Sequence, residues 1–417
     1  MDHLTGRFPP ELLAPAGDRE KLETALAYGA DAVYLGGPRH NLRAGARGFS
    51  WEELGGVLEH IRACGRKAYF CLNALPTEGQ LPEIEAELER AASLAVDGLI
   101  VADPGVLRLA GRLAPQLPVH LSTQANTSNS QGVRFWQDQG IRRINLAREL
   151  SWKEIQAVRQ ACPDIELEVF VHGAMCLAQS GKCHLSAYLN NRSANQGGCS
   201  HPCRFDYRVQ AVALEEAKRP GKITWEVRDD EERHSALLAS DDLCLIEHLS
   251  WFAANRIEAV KIEGRTKSST YLAVVLDAYR TALSDLQSGR FRPEILLAEL
   301  AESAGRPLST GFFLPEGRRR VLEPTKRRLK PVVGRIEAQL TEDCWLIAVK
   351  HRWSGGRPLE LLLPGLQRPL LRGEDYRLED EAGQPLETVH SGQTVRLRSA
   401  CEALQPGCFL RLAGSAT

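Results

Sequence analysis

Cys176, Cys183, Cys199 and Cys203 stand in the order C-x6-C-x15-C-x3-C and are four of the eleven cysteines in the chain. Four thiolates can hold zinc or an iron–sulfur cluster. Structural zinc favours ligand pairs two to four residues apart, which only the last pair offers. Iron–sulfur clusters accept wider spacings, and unligated thiols are the third reading. On a continuous helix Cys176 and Cys183 would lie ~10 Å apart along the axis, from the ~1.5 Å rise per residue. That is long for one compact site, so the chain is expected to bend between them, at Gly181. Cys64, Cys71, Cys162, Cys244, Cys344, Cys401 and Cys408 read as small buried hydrophobes, with Cys244 as a reserve ligand.

A second set of chemistry-bearing residues falls on β-like runs. Side chains alternate faces along a strand. In 119–126, His120, Ser122, Gln124 and Asn126 oppose Val119 and Leu121. In 166–173, Glu168, Phe170 and His172 oppose Leu167, Val169 and Val171. In 259–265, Lys261, Glu263 and Arg265 oppose Val260 and Ile262, and in 67–75 Tyr69, Cys71 and Asn73 oppose Phe70 and Leu72. The apolar face must meet helices, so the polar face is expected to line an interior. Burying so many polar groups without function is costly.

The elements that must position these residues are strand–helix units. Strand-like runs at 11–17, 31–37, 67–75, 98–103, 119–126, 143–148, 166–173 and 259–265 alternate with helical periodicity, including a helix over 241–255. The pattern predicts an α/β fold: a (β/α)8 TIM-like barrel, residues 1–311, with a Cys-rich insertion at 174–240. Residues 312–331 read as a basic linker; 317–330 holds seven Lys or Arg and one Glu. Residues 332–417 show short alternating runs, expected to form a small C-terminal all-β, barrel-like domain. A net charge of −1 predicts no polyanion partner from bulk charge alone. No leader-like N-terminus and no long apolar run is read, so a cytoplasmic protein is expected. There disulfides are rare and a cysteine cluster points to metal or redox chemistry.

The run Glu168-x-Phe170-x-x-Gly173-Ala174-Met175-Cys176-x4-Gly181-x-Cys183-x-Leu185-Ser186 resembles the signature of the collagenase-like U-type peptidase family. The similarity extends to LLAPAG (12–17), YGADAVYLGG (28–37), HLSTQAN (120–126), NQGGCSHPCR (195–204) and KIEGRTKS (261–268). Within the family the chain is most similar to the prephenate-dependent tRNA uridine-34 hydroxylase branch. The β-rich C-terminal domain favours that branch over quinone-pathway relatives, and the chain is shorter than the ribosomal-RNA type. The segment 208–236 looks shorter than in some tRNA-type relatives.

The resemblance implies hydroxylation of the wobble uridine at C5 to 5-hydroxyuridine, with prephenate as hydroxyl donor. It implies a 4Fe–4S cluster on Cys176, Cys183, Cys199 and Cys203, and a tRNA anticodon stem-loop as partner. A dicarboxylate donor needs cations, which makes Arg43, Arg148, Lys261 and Arg265 candidates. His120 and His172 are candidate acid/base groups, and Glu168 and Glu263 candidate proton carriers. Asn73, Gln124 and Asn126 could read a uracil edge or orient donor hydroxyls. The blander reading of each is a core hydrogen bond or a structural ion pair, and Asp103 reads as a helix cap. The basic run, with Arg43, Arg47, Arg192 and Arg204, could track phosphates. A peptidase reading has the family's name behind it and the spacing of His172 to Cys176, but neither G-x-S-x-G nor H-E-x-x-H is present.

Overall fold

Most of the barrel's strand-to-helix turns are closed by a side-chain cap. Asp18, Asp103 and Asn129 each accept a backbone N–H of the next helix's first turn. Ser50 with Glu53, and Ser151 with Glu154, form reciprocal capping boxes. Such caps end each strand at a defined residue, and therefore fix which side chains reach the strand ends.

The structure is a computed structural model describing residues 9–43, 48–176, 178–205, 212–215, 223–227, 241–317, 319–322 and 330–413. In order, the barrel units are β1 (Glu11–Pro15) and α1 (Arg19–Ala27), β2 (Ala32–Leu35) and α2 (Trp51–Ala63), and β3 (Lys67–Leu72) and α3 (Leu81–Ser93). Next come β4 (Gly98–Val101) and α4 (Pro104–Leu113), β5 (Val119–Leu121) and α5 (Ser130–Asp138), β6 (Arg143–Asn145) and α6 (Trp152–Ala161), and β7 (Glu166–Ala174). The insertion carries α7 (Leu185–Asn190) and the strand pair β8 (Val212–Glu215) and β9 (Ile223–Val227). The chain returns through β10 (Asp242–Cys244), α8 (Leu249–Ala254), β11 (Ala259–Ile262) and the long α9 (Ser269–Gln287), followed by α10 (Pro293–Ser303).

Strands β1 to β7 pair in sequence, and β11 pairs in parallel with both β1 and β7, closing an eight-stranded parallel barrel. The fold expected from alternation is the fold found. Its outer core packs Leu12, Val33, Phe70, Leu99, Leu121 and Ile144 against the helices. A separate apolar cluster of Leu13, Ala32, Tyr34, Tyr69, Cys71 and Ile100 fills part of the barrel interior.

Several element limits differ from the sequence reading. The 119–126 run leaves β geometry after Leu121, turns through a 3-10 segment and reaches Asn126 in the left-handed region at φ 56°. The 259–265 run ends as a strand at Ile262. The 241–255 stretch begins as β10, antiparallel to the end of β7, because its buried Leu243 and Cys244 extend the sheet before α8 starts. The stretch read as a linker contains β13 (Arg320–Leu322), paired with β12 (Leu308–Ser309). Most of the basic run (318 and 323–329), Arg47, and most of 208–236 lie outside the described residues.

The C-terminal part runs from β14 (Val332–Thr341) and β15 (Cys344–Val349) to β16 (Trp353–Ser354), β17 (Leu359–Leu362), β18 (Leu370–Leu371), β19 (Arg377–Glu379), β20 (Thr388–Val389), β21 (Thr394–Arg398) and β22 (Phe409–Leu412). Seven of these strands form one antiparallel half-barrel sheet, in the order β18-β17-β22-β14-β15-β21-β19, around its own core of Val333, Ile336, Ile347, Leu361 and Leu397. It docks on the barrel through buried polar contacts: Tyr28 donates to Leu362 O at 2.6 Å, and Arg411 pairs with Glu299 at 2.8 Å. Among the described residues no helix is long and apolar enough to cross a membrane.

Candidate active site

The interior of the barrel is polar at two levels. At the N-terminal end of the strands, Arg143 pairs with Glu11 at 2.6 Å and Glu166 at 2.8 Å, and Lys261 with Glu168 at 2.8 Å. His120 stacks edge-on against Tyr69, with ring centroids 4.5 Å apart. Burial, reinforced by Arg143, holds the His120 pKa well below the ordinary histidine value, so it is neutral there.

At the C-terminal end a cavity of about 1220 Å³, counted to its open mouth, is lined by Arg43, Asn73, Ser122, Gln124, Asn145, Arg148, Lys261, Glu263 and Arg265. All four cysteines of the insertion line its other wall. Glu263 lies 3.4 Å from the guanidinium groups of both Arg43 and Arg148. Burial alone would raise its pKa; the surrounding cations Arg43, Arg148, Lys261 and Arg265 outweigh it and hold the carboxyl at about 2. Arg148 also lies flat over Phe170, 3.9 Å from the ring centroid, and donates to Ala174 O at 3.0 Å. Lys261 sits 4.5 Å from the Tyr34 ring centroid. Arg43 Nε, Arg148 Nε, Gln124 Oε1 and Asn145 Oδ1 are buried without hydrogen-bond partners. A pocket wall with so many unmet polar atoms is arranged for a polar ligand.

The roof is launched from the end of β7. Gly173 has φ +107°, and a Cβ there would meet Glu263 O at 2.4 Å. Only glycine lets the two strand ends run this close. The bend expected between Cys176 and Cys183 is present, with Ser180 at φ 43° and Gly181 at φ 85°. Glu149 pins it by accepting from Ser180 N at 2.6 Å. Asn195 ties the roof to the barrel: its carbonyl accepts from Leu75 N at 2.9 Å and its side chain from Cys183 N at 3.1 Å.

The four thiols share one wall and influence one another: burial, then the neighbouring Cys176, Cys199 and Cys183 outweigh Arg204 to push the Cys203 thiol pKa up. Cys183 Sγ accepts from Leu185 N at 3.4 Å. Among the described residues, no three of His, Cys, Asp and Glu stand close enough together to hold a metal ion. The donor set, four thiols on one wall of the cavity, fits an iron–sulfur cluster or zinc in kind. Of the other cysteines, Cys71, Cys162, Cys244, Cys344 and Cys408 are buried as read, whereas Cys64, just past α2, is exposed.

The candidates from sequence divide. Arg43, Asn73, Gln124, Arg148, Lys261, Glu263 and Arg265 come together around the cavity. Glu168 and His120 belong to the level beneath it. Asn126 lies outside the lining; its amide donates to Gln179 O at 3.3 Å and helps seat the roof. His172 does not face the interior as strand parity predicts. The register between β7 and β11 slips after Lys261, so Phe170 pairs with Lys261 but His172 pairs with Ile262. That bulge at Val171 inverts the alternation. His172 therefore points at α9, 3.3 Å from the Tyr279 hydroxyl, and burial pushes its pKa down to about 3. Of the basic run, Arg319 and Lys330 are engaged with Glu247 and Glu360, both at 2.7 Å.

Sequence reasoning passed over Tyr34, Asn145 and His201 in the lining, and Asn41 behind it. Asn145 shares the inward face of β6 with Arg143, so alternation could have found it. His201 was visible only as the centre of C-S-H-P-C; it lies 3.8 Å from Cys199 Sγ through Nδ1.

Fold and site define a (β/α)8-barrel protein with a thiol-roofed polar pocket at the C-terminal mouth of the barrel. The model for peptidase family U32 matches residues 17–322, and the chain belongs to that family. It is 35% identical to tRNA hydroxylation protein P of Escherichia coli, over 93% of this chain and 99% of that one. It is also 35% identical to tRNA hydroxylation protein P of Helicobacter pylori, over 96% and 98%. The 23S rRNA 5-hydroxycytidine C2501 synthase of Escherichia coli is 32% identical over 73% of this chain but only 43% of its own length.

Proposed function

We propose that this chain is a tRNA-modifying enzyme that hydroxylates C5 of the wobble uridine at position 34, with prephenate as hydroxyl donor. The observation that carries the reading is similarity to tRNA hydroxylation protein P along nearly the whole of both chains, C-terminal half-barrel included. The ribosomal-RNA relative is matched over less than half of its own length, which favours tRNA over that substrate. Tyr188 on the roof is 87% exposed and Phe205 is also exposed, and aromatic faces beside a mouth suit the splayed bases of a single-stranded loop.

In this reading Cys176, Cys183, Cys199 and Cys203 hold a 4Fe–4S cluster, which when bound closes the roof and supplies electron-transfer capacity. The chain's own residues bind and orient. Arg43, Arg148 and Arg265 take the donor's carboxylates, and Gln124, Asn145 and Asn73 face the base with unmet or adaptable amides. The shared cavity brings donor and base together. The net change moves a hydroxyl from donor to C5 and a hydrogen from C5 to the donor, so the base is oxidised by two electrons and the donor reduced by two. Glu263, held ionised, accepts the C5 proton and passes it to the donor, with His201 as a second candidate among the lining's titratable groups.

The test is mass spectrometry of tRNA from a strain lacking every route to 5-hydroxyuridine, supplied with this chain. Restoration of 5-hydroxyuridine at position 34 is expected, with none for Cys176→Ser. Unmodified uridine in cells that make soluble protein and prephenate would overturn the reading. One contact favours a thiol peptidase instead, that of Cys199 with His201. Cleavage of a defined peptide by the pure protein, lost in Cys199→Ser, would establish that alternative. His172 gives it no support, since it faces away from Cys176.

A further inference from the structure

The cations of the pocket are not equivalent. Arg43 and Arg148 share Glu263, and Lys261 takes Glu168. Arg265 is 2% exposed, and among the described residues no carboxylate stands at ion-pair distance from it. Its Nη1 donates to Asn41 Oδ1 at 3.0 Å, while Nε and Nη2 are buried without partners. In a guanidinium group Nε and Nη2 share one edge, the geometry that meets both oxygens of a carboxylate. Asn41 therefore satisfies one corner and leaves the Nε/Nη2 edge without a protein partner.

The surroundings are built for that fork. Asn41 is 0% exposed. Its Nδ2 donates to Gly37 O at 2.9 Å and Arg39 O at 3.0 Å, and its Oδ1 also accepts from Arg43 N at 3.0 Å. One buried amide thus fixes the loop after β2, the backbone of Arg43 and the rotation of the Arg265 guanidinium. Gly36 clears the space: a Cβ there would lie 2.9 Å from Arg265 Nη2. Burial also pushes the Arg265 pKa below the ordinary arginine value, as for a cation whose surroundings do not replace its lost hydration. At this depth the group is out of reach of the backbone phosphates of a polynucleotide, and its open edge is planar.

We infer that Arg265, oriented by Asn41 and seated against Gly36, is a bidentate fork for one carboxylate of a small organic acid. Only the identity of that acid rests on the donor proposed above. Asn41 is a positioning residue in this arrangement, acting through Arg265.

The experiment is titration calorimetry on the full-length protein purified without oxygen, with prephenate, malonate and inorganic phosphate as separate probes. Prephenate is expected to bind. Arg265→Lys, which keeps the charge and loses the fork, should raise its Kd about tenfold or more. Asn41→Ala should raise it about threefold to tenfold with the circular dichroism spectrum unchanged. Millimolar guanidinium should restore affinity to Arg265→Ala, a recovery that a purely structural role would not show. Equal Kd values for the native protein and Arg265→Lys would overturn the fork while leaving the donor in place. Malonate binding that depends on Arg265, with no prephenate binding, would uphold the fork and remove the donor. Binding of phosphate alone, or of none of the three, would overturn the fork.

Discussion

The two polar levels of the barrel hold similar residues in opposite states. Below, Arg143 and Lys261 engage Glu11, Glu166 and Glu168 at 2.6–2.8 Å, and among the described residues there His120 Nδ1 and Glu168 Oε2 lack hydrogen-bond partners. Above, ion pairs stretch to 3.4 Å, and Arg43, Arg148, Arg265, Gln124 and Asn145 all present unmet atoms. Arg143, Glu168 and Lys261 below are as buried as Glu263 and Arg265 above, so the contrast among these groups is not one of solvent. A satisfied ionic layer holds strands together, whereas an unsatisfied one is waiting for a ligand. Charge type alone does not separate scaffold from site; completeness of partnering does.

The sharpest way to break that comparison is to remove one member from each level. Cys176→Ser, at the roof of the upper level, should lower 5-hydroxyuridine in tRNA by more than ~100-fold while the apo-protein keeps its melting temperature within a few degrees; iron and sulfide analysis should show the cluster lost. Arg143→Met should do the reverse. Removing the guanidinium that joins Glu11 to Glu166, while Lys67, Arg142 and Lys261 keep their contacts with the three carboxylates, should cost up to about 3 kcal/mol in denaturant unfolding, with turnover per folded molecule intact. A drop in turnover without loss of stability would mean that the lower level is part of the site.

His172 extends the test to pH. Its pKa is depressed to about 3 from 6.5, so the unfolded chain binds the proton first and stability falls as pH drops below about 6.5. At about pH 4.5 the loss should reach about 2–3 kcal/mol, and His172→Phe should flatten that part of the unfolding profile without touching activity. Glu263 acts lower on the scale. Its carboxylate contribution is complete above 4.5 and is lost as pH falls towards about 2. Glu263→Gln should reduce turnover about tenfold through the loss of an ionised acceptor. Asn126→Ala has the smallest effect on product: it loses one long bond to Gln179 O and puts alanine at φ 56°, so a loss of about 1–2.5 kcal/mol in stability and less than about a twofold effect on product are expected.

Much of this was legible in the chain. Alternating strand and helix signals lead to the barrel, because each period is a local property of backbone geometry. Cap residues such as Asp18, Ser50 and Asp103 are readable for the same reason. Arg148, Glu263 and Gln124, which the sequence assigns to one polar interior, do line one cavity. His172 was not, because a single bulge at Val171 reverses parity and depends on how β7 meets β11. Asn41 was missed for a different reason: it sits in a loop with no periodicity, and its importance lies in which groups it joins.

By itself, then, the sequence determined the barrel, the thiol-bearing roof and the types of side chain at the mouth, since these follow from local periodicity and spacing. Tertiary structure alone decided which charges are spent on one another and which stay open. Glu168 and Glu263 are both carboxylates assigned by alternation to the polar face of a strand-like run. One is paired with a buried lysine at 2.8 Å and the other is shared between two arginines at 3.4 Å, because only the packing of eight strands sets the distances between residues far apart in the chain.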